Sequence, residues 1–245
     1  MTDIGKEFLR WTSPPFTGES DQSLGKPQPP LTLPPDPTWP QIDLPAPAEL
    51  NIAPCDLRTA IEQRRTLRRY ASTPLTLAEL SYLLWCTQGV QQVTARPSTL
   101  RTVPSAGARH AFETDLLINR VEGLTPGLYR FLAMEHKLAA IRTDAALAHT
   151  LYEATQRQQH VLDCAAMFIW IAVTYRMTWR YPQRGYRYLF LDAGHVCQNL
   201  ALAAEALGCG ICPIGAFDDA TFNAALDLDG EQQFVIYAAT VGKKP

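Results

Sequence analysis

Proline is distributed too unevenly for this chain to be one uniform fold. Of 19 prolines in 245 residues, twelve precede residue 55: Pro14, Pro15, Pro27, Pro29, Pro30, Pro34, Pro35, Pro37, Pro40, Pro45, Pro47 and Pro54. Proline fixes φ and lacks a backbone N–H, so this spacing is hostile to helix interiors and central strands. Residues 1–54 therefore read as an extended arm of polyproline II and turns, and residues 55–245 as the globular domain. A disordered tail is the competing reading of the same composition. Trp39, Ile42 and Leu44 are apolar anchors that could lay the arm across the domain or across a partner subunit.

The chain is 47% hydrophobic and 19% charged, enough to bury a sizeable core. Its 22 basic and 24 acidic residues supply no field for holding a polyanion, which argues against a nucleic-acid binder. Asp3 and Glu7 stand where a targeting peptide would be basic, and no stretch approaches the roughly 20 apolar residues of a membrane span. A cytoplasmic protein with no membrane partner is the expectation. The six cysteines sit mostly in apolar runs and read as reduced core residues. Cys209 and Cys212 have the spacing of a zinc ribbon or dithiol, but no second pair accompanies them, so a buried strand of small residues is the plainer reading.

Asp56 can cap a helix running to about Arg69, with Leu57, Ala60, Ile61 and Leu67 on its apolar side. Thr76-Leu-Ala-Glu79 is a capping box opening a second helix that stops near Gly89. Phe112–Val121, Leu128–Leu132 and Lys137–Arg142 read as a meander of strands. A helix over Asp144–Gln159 and a buried strand over Ala165–Val173 follow. A helix from about Tyr188 to Leu207 is apolar nearly all round, so it should be the most buried one, central to the domain or to a dimer, and Gly208 is its C-cap. Gly210–Ile214, Asp218–Leu226 and Gln233–Val241 read as strand, acid-capped helix and strand. Strands dispersed among helices without βαβ alternation indicate an α+β fold.

Three segments could carry chemistry. Arg64-Arg-Thr-Leu-Arg68 sets guanidinium forks beside a hydroxyl, suited to a phosphate or an anionic ring edge, though solvated helix-end arginines have the same appearance. Val103-Pro-Ser-Ala-Gly-Ala108 is a small-residue turn that lets backbone approach a flat ligand, or an ordinary loop. Pro213-Ile-Gly215, with the terminal Lys243-Lys244, could complete an anion site or merely solubilise the chain end. His195, beside Gly194 on the apolar helix, reads as a hydrogen-bonded core or interface residue rather than a general base.

The order of these segments resembles the FMN-dependent nitroreductase family, in its SagB-type dehydrogenase branch. The resembling stretches are Arg64–Tyr70, Pro74–Leu80, Leu84-Trp85 with Gln88-Gly89, Pro104–Ala108, Gly127–Tyr129, Arg184–Tyr188 and Asp192–Asn199. The resemblance implies a homodimer of a mostly antiparallel sheet flanked by helices, with two FMN molecules at the subunit interface. It implies that Arg64, Arg65, Thr66 and Arg68 bind FMN. Pro104, Ser105, Ala106 and Gly107 would line the flavin from the other subunit, Pro213, Ile214 and Gly215 would face its N5, and Lys243 and Lys244 would reach the phosphate. NADPH or NADH is the implied electron donor of a reductase; a small molecule or peptide is the implied substrate.

Two departures matter. Ala108 stands where many nitroreductases carry asparagine, a variant shared with the SagB branch that points away from a general nitroaromatic or quinone reductase. Azoline-oxidising relatives carry a Lys-Tyr pair before the long helix to assist proton removal, and here the pair is Arg180-Tyr181. Tyr181 could serve as acid or base, whereas Arg180 stays protonated and is limited to electrostatic support. Azoline oxidation, nitro or quinone reduction and non-catalytic flavin binding thus remain the alternatives.

Overall fold

The computed structural model describes residues 3–144 and 146–245. In chain order the elements are α1 (Ile4–Trp11), β1 (Gln41–Asp43), α2 (Leu57–Gln63), α3 (Leu77–Gln88), β2 (Val90–Val93), β3 (Thr99–Arg101), β4 (Phe112–Ile118), β5 (Gly127–Leu132), β6 (Lys137–Arg142), α4 (Leu147–Ala154), α5 (His160–Asp163), β7 (Ala166–Val173), α6 (Thr174–Thr178), α7 (Gly185–Ala206), β8 (Cys209–Ile214), α8 (Asp219–Ala225) and β9 (Gln233–Lys243). Seven strands form one sheet in the order β1-β6-β5-β4-β7-β9-β8, and β2 pairs with β3 in a separate ribbon. Every ladder is antiparallel.

Both faces of the sheet are covered. Phe168 and Trp170 of β7 belong to the core shared with α3 and α7, whereas Met167, Ile169 and Ile171 belong to the core shared with α4 and α8. A strand buried on both faces needs apolar residues at every position, which is why Ala166–Val173 reads as an unbroken apolar run. Local signals set the helix starts. Thr76 Oγ1 accepts the Glu79 N–H at 3.1 Å while Glu79 Oε2 accepts the Thr76 N–H at 3.0 Å, and Asp218 caps α8 through the Thr221 N–H at 2.7 Å. Gly208, at φ +61°, takes the left-handed position just past α7. Among the described residues, no helix is long and apolar enough to cross a membrane.

Three expectations need correction. The helix from Asp56 ends at Gln63 rather than Arg69, because Arg64 turns extended and Leu67 N–H bonds the Ile211 carbonyl at 2.8 Å. The arm is not wholly extended, since its proline-free start forms α1. Helix α7 is not buried all round: Phe190 and Leu191 are more than half exposed, and His195, outside the core of this chain, is exposed as well.

The arm lies on the domain. β1 adds to the β6 edge, and the Arg130 guanidinium stands 5.5 Å from the Trp39 ring centre. Trp179 Nε1 donates to the Lys26 carbonyl at 3.0 Å. Its central tie is Arg176, which is 2% exposed. Arg176 donates to the Pro30 carbonyl at 3.0 Å, the His110 carbonyl at 3.3 Å and Glu113 Oε1 at 2.6 Å. Glu113 Oε1 also accepts the Leu33 N–H at 2.8 Å. His110 is buried beside this knot, and burial first, with Arg101, Arg109 and Arg176 adding to it, pushes its imidazole down to about 3.

Two predictions follow from the knot. Glu113→Gln keeps the shape but strands a buried guanidinium, so it should destabilise the protein by about 3–5 kcal/mol and expose the arm to limited proteolysis; unchanged denaturation and cleavage patterns would refute the anchor. His110 stays neutral in the folded protein, while the unfolded chain takes up its proton below the ordinary value of 6.5. Stability should therefore fall as pH falls through that value, the His110 share being about 2 kcal/mol between pH 7 and pH 5. Denaturation of His110→Gln at both pH values should show a shallower decline than the wild type.

Candidate functional site

The predicted site residues fall into two groups, each built by a different part of the fold. The first lies along the outer edge of β8. Thr66 forms a parallel bridge with Ile211, and the Ala71 N–H bonds the Lys243 carbonyl at 3.0 Å. Two glycines make this close approach possible. A Cβ on Gly210 would meet the Leu67 side chain at 2.7 Å, and one on Gly242 would meet the Tyr70 ring at 2.8 Å. Leu67 and Tyr70 thus point inward, while Arg65, Thr66 and Arg68 are exposed and Arg64 is half-buried. Arg68 reaches the Cys212 thiol, whose pKa burial raises and the guanidinium partly restores. Pro213, Ile214 and Gly215 close the same strand, with Ile214 buried and Gly215 exposed.

The terminal lysines differ from these arginines. Lys243 Nζ bonds Glu79 and the Leu207 carbonyl, and Lys244 Nζ pairs with Glu205 at 2.6 Å. Both ammonium groups already face a carboxylate, so neither stands free for a phosphate as the arginines do. Among the described residues, Arg64, Arg65 and Arg68 form no ion pair; Arg65 donates to the Glu62 and Arg64 carbonyls at 2.7 and 2.8 Å.

The second group is the Pro104–Gly107 turn, clipped to α7. Ser105 Oγ donates to Asp192 Oδ2 at 2.6 Å and accepts the His110 N–H at 2.9 Å. The Ala106 N–H reaches both Asp192 oxygens at 3.3 Å. Burial raises the Asp192 pKa; these bonds and nearby His195 oppose that rise. Gly107, at φ +58°, lies against Arg180 and Tyr181, and a Cβ there would come within 2.6 Å of Tyr181 Oη. Arg180 Nε donates to Tyr181 Oη at 3.1 Å. The turn is therefore a cradle that only glycine leaves open, next to the Arg180-Tyr181 pair.

Sequence reasoning assigned no role to Asp192, Arg109 or His110. Arg109 is buried with Nε on the Gly107 carbonyl at 3.1 Å and its guanidinium carbon 5.3 Å from the Trp179 ring centre. An aspartate among the apolar residues of a long helix was the one available signal, because a buried carboxylate requires partners. Asn199, noted only within a motif, donates to the Cys86 and Thr102 carbonyls at 2.9 and 3.2 Å and so ties α7 to α3 and to the end of β3.

The Cys209-Cys212 spacing does not bring the two thiols together. Both thiols are buried on β8, and residues three apart on a strand leave opposite faces, so they cannot converge.

A match to the nitroreductase family model runs over residues 61–243. The chain is 33% identical over 195 residues to MJ1384 of Methanocaldococcus jannaschii, named as a candidate nitroreductase, covering 79% of this chain and 94% of that protein. It is 28% identical over 158 residues to the trifolitoxin-processing protein TfxB of Rhizobium leguminosarum bv. trifolii, covering 61% and 41% of the two chains. Among solved structures, a candidate nitroreductase of Anabaena variabilis superposes with a TM-score of 0.69 at 28% identity, over 85% of this chain and 42% of that one. A Desulfovibrio desulfuricans protein of the same description, solved in complex with FMN, superposes with a TM-score of 0.55 at 20% identity, over 78% and 87% of the two chains. This chain thus spans less than half of the Anabaena and TfxB chains. The family match over most of the chain and the 33% identity to MJ1384 over 79% of it show that the chain belongs to the nitroreductase family.

Proposed function

We propose that the protein is an FMN-dependent oxidoreductase of the SagB-type dehydrogenase branch, acting as a homodimer on a small-molecule or peptide substrate. The observation that carries this reading is the row of Arg64, Arg65 and Arg68, held on the β8 edge without carboxylate partners among the described residues while the neighbouring lysines are ion-paired. Fixed, unpaired guanidinium forks are suited to a phosphate and to the anionic edge of a reduced flavin. When bound, FMN supplies hydride acceptance and donation at N5.

The chain's own residues then divide the work. Arg64, Arg65, Thr66 and Arg68 hold the phosphate, ribityl and pyrimidine edge. Pro213, Ile214 and Gly215 end the same strand and offer backbone to the ring. The Pro104–Gly107 turn, stiffened by Asp192, lines the flavin of the partner subunit. Exposed Leu57 and Ile61 on α2, with Phe190 and Leu191 on α7, support an apolar interface between two copies. Tyr181 is the proton-handling side chain and Arg180 its electrostatic support. Lys243 and Lys244 serve chiefly to tie their segment to Glu79 and Glu205.

TfxB, a toxin-processing protein, favours oxidation of a heterocycle such as a peptide azoline. The Arg180-Tyr181 pair favours the second reading, an NADPH- or NADH-dependent nitro or quinone reductase, because arginine cannot serve as a base. Purified protein should carry an FMN absorbance band, and Arg64→Ala with Arg68→Ala should cut the flavin-to-protein ratio at least tenfold. Undiminished flavin would defeat the cofactor assignment. Anaerobic bleaching by NADPH or NADH supports the reductase; retained colour with both donors favours an oxidase whose substrate is the reductant, or a non-catalytic flavin binder.

A further inference from the structure

A cavity of about 480 Å³ lies between the arm and the turn that leads into α7. One wall is the arm around Pro14–Ser23; the other carries Arg180, Tyr181, Arg184 and Tyr188. The Tyr181 and Tyr188 rings meet edge to face, 4.9 Å between centres at 78°. The Arg180 guanidinium carbon stands 5.4 Å from the Tyr181 ring centre, and that of Arg184 stands 5.5 Å from Tyr188. The lining is therefore an aromatic corner with a guanidinium set on each ring.

Neither guanidinium has a carboxylate partner among the described residues. Arg180 spends one N–H on Tyr181 Oη at 3.1 Å, and Arg184 spends one on the Thr12 carbonyl at 3.2 Å. Each guanidinium carries five N–H donors, so most of the donors at this cavity face no protein acceptor. Buried Arg109 adds positive charge behind the wall, and Arg180 is among the groups that hold its pKa down. Glu19 is the one acidic residue in the lining. Two cations against one anion leave a balance of one positive charge, which suits a monoanion better than a phosphate dianion.

We propose that this cavity binds the carboxylate of a planar, conjugated substrate, with Arg180 and Arg184 holding the carboxylate and Tyr181 and Tyr188 flanking the ring. Guanidinium forks recognise carboxylates bidentately, and flat rings pack well against tyrosine. Gly107 touches both Arg180 and Tyr181, so a ligand here would lie beside the Pro104–Gly107 turn. The arm is thereby a specificity element, because without Pro14–Ser23 the cavity has no second wall. What becomes of the ligand rests on the flavin oxidoreductase reading; its binding does not.

Calorimetric titration of the purified full-length protein with 2-naphthoate, its neutral isostere 2-naphthamide and 2′-adenosine monophosphate tests the site. The naphthoate should bind at least tenfold tighter than the amide, and adenosine monophosphate should bind more weakly than the naphthoate. Arg180→Met and Arg184→Met should each remove the acid-over-amide preference, while Arg184→Lys, which keeps the charge and lessens any folding defect, should retain part of it. Equal affinity for acid and amide, an unchanged preference in both methionine variants, or tighter binding of adenosine monophosphate would overturn the proposal. The flavin-to-protein ratio of each sample separates the two readings. In the wild type, absence of the preference with flavin bound defeats the carboxylate site alone, and a preference present in a flavin-free preparation defeats the oxidoreductase reading alone.

Discussion

A single buried guanidinium, that of Arg176, joins the parts of this molecule that the sequence keeps apart. It takes the Pro30 carbonyl from the arm, the His110 carbonyl from the loop before β4, and the Glu113 carboxylate from β4 itself. Burying a charge this deeply is costly unless its partners are complete. The three acceptors therefore have to stay together for any of them to be in place. Because the His110 N–H bonds Ser105 and Ser105 bonds Asp192, the same knot orders the Pro104–Gly107 turn against α7. Arm, sheet and candidate site share one electrostatic anchor.

The β8 edge obeys a different rule. Its guanidinium row is displayed rather than buried, and what fixes it is packing beneath: Leu67 on Gly210 and Tyr70 on Gly242. The apolar residues of the segment anchor the backbone, and among the described residues Arg64, Arg65 and Arg68 have no carboxylate to hold. The lysines a few residues away illustrate the contrast, since Glu79 and Glu205 hold them in place. A net charge of −2 thus coexists with two locally positive surfaces, one on this edge and one at the turn entering α7.

Much of the fold was legible because its signals are local. The capping box at Thr76, the two-faced apolar run of β7, the left-handed Gly208 and the meander from β4 to β6 are each set by neighbours in the chain. Family motifs located the Arg64–Arg68 row and the Pro104–Gly107 turn. The helix continuing to Arg69 was illegible as an error, since its periodicity is sound for a helix and the strand it pairs with lies far along the chain. The β2–β3 ribbon and α6 were missed because short elements of mixed polarity carry little periodic signal.

What the sequence determined by itself was the longer elements, the family and the residue types available for anion binding, because those follow from periodicity, caps and motif. Only the tertiary structure decided which cations are free. Arg68 and Lys243 are equally cationic as text, but one is exposed and the other faces a glutamate. Nor could the chain order show that the proline-rich arm, by bonding Arg176 and Trp179, becomes the wall of a cavity facing Arg180 and Tyr181. Those outcomes depend on which charges are desolvated together, a property of contacts between segments more than a hundred residues apart.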